Sequence, residues 1–147
     1  WAALMPPRNM AGKGAPASFG LAVNEGINAG NPCLSAHFAL TISTARLVES
    51  FGSEELKVKY IERMNRGEFN GTMSLSEPHA GSDVGAALTT AEYAGDGTYR
   101  IKGTKSWISN GDTDLAENSI HAVLARIKGG PEGTGGLSLF LIPHTLV

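Results

Sequence analysis

One cysteine, Cys33, is all the thiol chemistry in 147 residues, so neither an internal disulfide framework nor a cysteine-based zinc cluster can be built. As a lone thiol it is expected to be buried and inert, like most small core residues. Neither sign of charge is in excess: 12 Lys plus Arg against 14 Asp plus Glu leave a net of −2. That excludes the field that would draw in nucleic acid or an anionic membrane. No apolar run of about 18 residues exists, so no integral membrane segment is expected. Nothing at the amino end resembles the charged-then-apolar pattern of a signal peptide. The expectation is a soluble, intracellular protein. Internal repeats and low-complexity tracts are also missing, and Trp1-Ala2-Ala3-Leu4 opens without an initiator Met, which reads as a cut end.

What is present falls into two parts. A helix is expected from Ala17 to about Ala29, although Gly20 and Gly26 each weaken it by about 1 kcal/mol relative to Ala. The next helix has clearer punctuation. Asn31 can cap it, Pro32 suits its first position, and Gly52 stops it; Leu34, Phe38, Ile42, Ala45 and Val48 recur at three- and four-residue spacing as its core face. His37 beside that stripe has no metal-ligating neighbours and reads as a satisfied helix histidine. A third helix follows the Ser53 cap, with Glu54 and Glu55 in its first turn and Arg63 and Arg66 in its last, complementing the macrodipole before Gly67. Leu56, Tyr60 and Met64 supply its buried side.

After Gly71 the hydrophobic period changes from about 3.6 to 2, marking a junction between a helical part (residues 1–70) and a β part (residues 71–147). Strands are expected near 72–76, 87–93, 98–109, 119–126 and 137–142, with Gly95-Asp96-Gly97 as a hairpin turn. The fold class is α+β.

Chemistry concentrates in Met73-Ser74-Leu75-Ser76-Glu77-Pro78-His79-Ala80-Gly81-Ser82-Asp83-Val84-Gly85. Met73 and Leu75 point one way along the strand and Ser74 and Ser76 the other. Beyond Pro78, Gly81 and Gly85 can expose backbone N–H groups, and Ser76 and Ser82 place hydroxyls on either side of the turn. An anion or an oxygen-rich cofactor suits such a place; so does a plain surface turn that reverses the chain. Thirty residues on comes Ile101-Lys102-Gly103-Thr104-Lys105-Ser106-Trp107-Ile108-Ser109-Asn110-Gly111.

Together the two segments resemble the acyl-CoA dehydrogenase flavoenzymes. That family carries a strand ending in a hydroxyl, then Glu-Pro-x-Ala-Gly-Ser-Asp, and later Gly-x-Lys-x-Trp-Ile-Thr-Asn-Gly. Ser76 and Ser109 stand where the family usually has Thr, which keeps the hydroxyl; Met73 stands where an aromatic is common. The resemblance implies N-terminal helices followed by a small antiparallel β-barrel, the family's middle domain. The C-terminal four-helix domain would be absent.

It also implies FAD as cofactor and an acyl-CoA thioester as substrate, with α,β-dehydrogenation of the β-oxidation type. An electron-transferring flavoprotein would be the electron acceptor. The full-length protein would be a homodimer or homotetramer in the bacterial cytoplasm or the mitochondrial matrix. By position in the motif, Ser76 would bond the flavin ring near N1 and O2, with the backbone from Met73 through Leu75 bordering it. Gly81 and Ser82 would contact the FAD pyrophosphate or the acyl-CoA. Trp107 and Ile108 would lie along the ring, and Ser109 would face N5 and O4. Glu77 and Asp83 look like turn-stabilising carboxylates bonded to nearby amides. The resemblance therefore puts the catalytic base beyond Val147, leaves no catalytic residue in this chain, and implies that these residues alone are inactive. No metal is implied. Acyl-CoA oxidases, nitroalkane oxidases and flavin monooxygenases share the fold and stay open as alternatives, as does a silent binding or assembly module.

Overall fold

A computed structural model describes residues 3–146. Three helices lead, α1 (Ala17–Gly30), α2 (Pro32–Phe51) and α3 (Glu54–Arg66), followed by strands β1 (Phe69–Ser74), β2 (Thr90–Tyr93), β3 (Tyr99–Lys102), β4 (Asn118–Ile127) and β5 (Leu137–Pro143). The chain divides into two compact units. The first holds residues up to Thr72, Ser109–Ile120 and the segment from Pro143 onward; the second holds Met73–Ile108 and His121–Ile142.

In the first unit the helix limits follow local chemistry. Asn31 Oδ1 accepts from Leu34 N at 3.0 Å, satisfying one orphan donor at the start of α2. Ser53 Oγ does the same for Leu56 N at the start of α3. That helix ends in a Schellman motif: Gly67 takes φ 79, Gly67 N donates to Met64 O at 3.0 Å, and Glu68 N donates to Arg63 O at 2.9 Å. In α1, Gly20 has a packing reason. A Cβ there would lie 2.2 Å from Met5 Sδ, so only glycine lets that side chain approach.

The buried face of α2 differs from the expected stripe. Ala45 and Val48 are buried, but Leu34 is 40% exposed, Phe38 and Ile42 are half-buried, and Ser35, Thr41 and Thr44 are buried in their stead. These hydroxyls can be buried because each is bonded: Thr41 and Thr44 donate back to His37 O and Leu40 O, and Ser35 Oγ donates to Asn24 Oδ1 on α1. Cys33, expected in the core, is exposed, because its place in the first turn of α2 lies outside that face. On α3 the expected Tyr60 and Met64 are buried, joined by Ile61 and Asn65; Leu56 is half-buried. Arg63 stacks 3.9 Å from the centre of the buried Phe69 ring while its guanidinium pairs with Glu68 and Glu117.

The five strands form one sheet in the order β1-β4-β2-β3, with β5 paired to β4. The hairpin forms as expected: β2 and β3 are antiparallel in the register Thr90↔Lys102 to Tyr93↔Tyr99, and Gly95 and Gly97 take φ 95 and 86 between them. Tyr93, Tyr99 and Phe140 form a chain of tilted rings with centroids 5.3 and 5.0 Å apart. Beside the hairpin, β2 runs parallel to β4 (Thr90↔Arg126, Ala91↔Ile127), so the sheet is mixed. Two expected strands are shorter than their hydrophobic patterns. The one expected from 98 to 109 stops at Lys102, where Gly103 packs so closely on Thr89 that a Cβ would sit 2.2 Å from its Oγ1. The one expected from 87 starts at Thr90, because the Leu88 and Thr89 amides are bonded to a side chain instead of a ladder.

Candidate functional site

Glu77 organises the first motif. Its backbone exchanges hydrogen bonds with Ala80 (2.9 and 3.1 Å), closing a tight turn through Pro78 and His79. Its carboxylate turns inward and is 2% exposed. There it accepts from Leu88 N at 2.8 Å, Thr89 N at 3.0 Å and Lys105 Nζ at 2.8 Å. Lys105 Nζ also donates to Leu75 O at 3.0 Å. Burial alone would raise the Glu77 pKa. The Lys105 ammonium, then Thr89 and the Leu88 N–H, outweigh it and lower the pKa from 4.5 to about 2. A carboxylate that acidic and that fully bonded is a poor proton acceptor. The expected structural role of Glu77 thus has a concrete geometry. Asp83 differs: it is exposed and makes no side-chain cap to the short 3₁₀ turn Val84–Ala86 that follows it, so the amide bonds expected for it are not made.

Beyond Glu77 the loop carries Gly81 and Ser82, both exposed, and a Cβ at Gly81 would meet nothing within 4 Å. The far side of this loop is held by Arg126. Its Nη2 donates to Gly85 O at 2.7 Å and its Nη1 to Gly133 O at 2.9 Å and to Pro131 O. Arg126 was not among the residues the motifs singled out; a lone Arg at the end of a strand carries no local signal.

The second motif returns to the first. Ser106 N donates to Ser76 O at 3.0 Å, which sets Trp107 one residue from that contact. Trp107 is 78% exposed, with a left-handed backbone at φ 58, an uncommon conformation for a residue with a large side chain. Ile108, Met73, Leu75 and Ser76 are each half-buried. The alternation along β1 is inverted relative to an ordinary half-buried strand: Thr72 and Ser74 are buried, while Met73 and Leu75 keep part of their apolar surface open. Ser109 belongs to the first unit, where it is exposed and its carbonyl accepts from Thr72 Oγ1 at 2.6 Å. Asn110, at φ 60, bonds Gly71 O and His37. Lys105 was legible as the Lys of Gly103-x-Lys105-x-Trp107, but nothing in the motif says that its partner is Glu77.

Residues 72–146 match the family described as acyl-CoA dehydrogenase, middle domain. This chain belongs to the acyl-CoA dehydrogenase family. Among similar proteins, a 3-methylmercaptopropionyl-CoA dehydrogenase from Ruegeria pomeroyi is 40% identical over 146 residues, covering 99% of this chain and 25% of that protein. The solved butyryl-CoA dehydrogenase of Megasphaera elsdenii aligns with TM-score 0.79 and 27% identity over 97% of this chain and 36% of its own. A chain solved in work on the electron transferring flavoprotein of Acidaminococcus fermentans aligns with TM-score 0.79 and 31% identity, over 96% of this chain and 36% of its own. The architecture of helices leading into a middle-domain sheet is therefore that of the acyl-CoA dehydrogenases. The chain spans about a quarter of the length of the Ruegeria relative. Among the described residues no group of three or more His, Cys, Asp or Glu could hold a metal ion, and no helix is long and apolar enough to cross a membrane.

The family implies FAD, and the residues fit such a group. A planar apolar ring needs open apolar surface and a hydrogen-bonding group near its rim, and within the second unit Trp107, Met73 and Leu75 leave apolar surface open with Ser76 half-buried among them in sequence. Gly81 leaves its backbone open to close approach.

Proposed function

We propose that the protein carrying this chain is an FAD-dependent acyl-CoA dehydrogenase that forms an α,β double bond in an acyl-CoA thioester. The observation that carries this reading is the Ser106 N–H bonded to Ser76 O, which joins the two motifs beside an exposed, left-handed Trp107. When bound, FAD supplies a hydride acceptor at its N5. In this reading Ser76 would hydrogen-bond the flavin ring, with Met73 and Leu75 along its border. Trp107 and Ile108 would lie along the ring, and Ser109 would offer it a hydroxyl and an N–H. Gly81 and Ser82, on the loop that Arg126 holds, would take phosphate oxygens of FAD or of the acyl-CoA.

Glu77 does not take the substrate α-proton in this reading. Glu77 is committed to Lys105 and two backbone amides, with its pKa lowered to about 2. We further propose that these residues alone, loaded with FAD, do not dehydrogenate an acyl-CoA. Electrons leave to an electron-transferring flavoprotein, and the working protein is a homodimer or homotetramer.

The test is anaerobic. The protein should be yellow and its visible flavin band should bleach on adding acyl-CoA. Ser109→Val should slow that bleaching or weaken flavin binding by roughly tenfold, the scale of one lost hydrogen bond. A colourless protein, or one whose flavin ignores every acyl-CoA offered, would overturn the proposal.

A further inference from the structure

The side chain of Asn110 faces two partners, and their chemistry settles its orientation. Nδ2 donates to Gly71 O at 3.1 Å, so Oδ1 is the atom 2.7 Å from His37 Nδ1. The flipped amide would set Oδ1 against the Gly71 carbonyl, two acceptors facing each other. An amide oxygen only accepts, so the His37 contact requires the proton on Nδ1. The His37 ring is itself seated edge-on to Phe38, with centroids 5.5 Å apart.

The same turn of α2 holds the partner strand. Thr41 Oγ1 accepts from Gly71 N at 3.1 Å and donates to His37 O at 3.1 Å. The next residue in that strand, Thr72, donates to Ser109 O at 2.6 Å. Gly71 cannot yield, because a Cβ there would lie 2.6 Å from Thr44 Cβ and 2.7 Å from Met64 Cε. Ser109 and Asn110 are thus tied through two side chains, Thr72 and Asn110, to a segment that His37 and Thr41 anchor. Asn110 holds a left-handed φ of 60 within this network.

From this network we infer that His37 is a positioning residue for Ser109, acting through Asn110. Its Nδ1–H fixes the Asn110 amide, and the amide fixes the left-handed turn that presents the Ser109 hydroxyl. The inference rests on the flavin role proposed above for Ser109. A histidine that merely satisfied its own helix would leave flavin reduction untouched when replaced.

Three substitutions separate these cases in the protein that carries this chain. Asn at position 37 places an amide N–H where Nδ1 stands, Gln places one farther out, and Leu offers none. His37→Asn should keep anaerobic flavin reduction within about twofold of wild type. His37→Gln and His37→Leu should slow it on the order of tenfold, with the acyl-CoA concentration at half-maximal rate little changed, because alignment is lost while substrate contacts remain. A second readout needs no turnover: ¹⁵N NMR of the imidazoles should show the His37 proton on Nδ1. Equal reduction rates for wild type and His37→Leu, full activity in His37→Gln, or a ring protonated on Nε2 but not on Nδ1 would each overturn the inference alone. A wild type that fails to bleach overturns the flavin reading of Ser109 and this inference with it. Misfolding of His37→Leu leaves the Asn and Gln variants and the tautomer to decide.

Discussion

Replacing Glu77 with Gln removes one charge from a buried side chain and leaves the shape. Lys105 Nζ and the Leu88 and Thr89 amides are all donors at that carboxylate. An amide side chain can accept with only one of its two ends, so its NH₂ would face a donor. Lys105, with an 11% exposed side chain, would be left an unneutralised ammonium. Breaking a buried pair from one side costs about 3–5 kcal/mol. An independent figure comes from the titration. A carboxyl whose pKa falls from 4.5 unfolded to about 2 folded contributes about 3 kcal/mol at neutral pH. The sign follows from a lowered folded-state pKa: this contribution is complete above 4.5 and is lost as pH falls from 4.5 towards 2. Urea unfolding of wild type and Glu77→Gln at steps from pH 7 to 2.5 measures it. The variant should be less stable by about 3–5 kcal/mol at pH 7, and the gap should narrow steadily below pH 4.5. Lys105→Met should be similarly costly alone, and the double variant should lose much less than the sum, because no unpaired charge remains. A gap below about 1 kcal/mol at pH 7, or one that stays constant through the acid window, would refute this account of the Glu77 site.

Two further substitutions probe the supports on either side. Gly71→Ala would push a methyl into Thr44 and Met64 and should cost about 1–3 kcal/mol by chemical denaturation; a neutral result would mean that the helix yields more easily than its packing indicates. Arg126→Leu removes three hydrogen bonds to the carbonyls of Gly85, Pro131 and Gly133. Amide exchange should accelerate at residues 81–86 and 130–136 with the hairpin β2–β3 unchanged, and global stability should drop by about 1–3 kcal/mol. Uniform acceleration across the chain would show that Arg126 supports the whole fold and not this loop.

The parts of this protein that its sequence determined by itself are those whose causes lie within a few residues. Asn31, Pro32, Ser53 and Gly67 bound the helices because caps and left-handed stops act through side chains and amides three or four positions away. Gly95 and Gly97 place the hairpin for the same reason. The two motifs were legible as Glu-Pro-x-Ala-Gly-Ser-Asp and Gly-x-Lys-x-Trp, and the family with them. Tertiary structure decided the rest. The same Thr72-Met73-Ser74-Leu75 alternation fits either face inward, and only neighbours distant in sequence, Ser109 O among them, make it favourable to bury the hydroxyls. Cys33 and Leu34 share a helix with the buried Val48, yet which side of α2 is covered depends on where α1 and α3 lie. The Lys105–Glu77 pair spans 28 positions and the His37–Asn110 bond 73. No propensity or period reports such contacts, because their free energy exists only once folding has brought the partners together and removed the water between them.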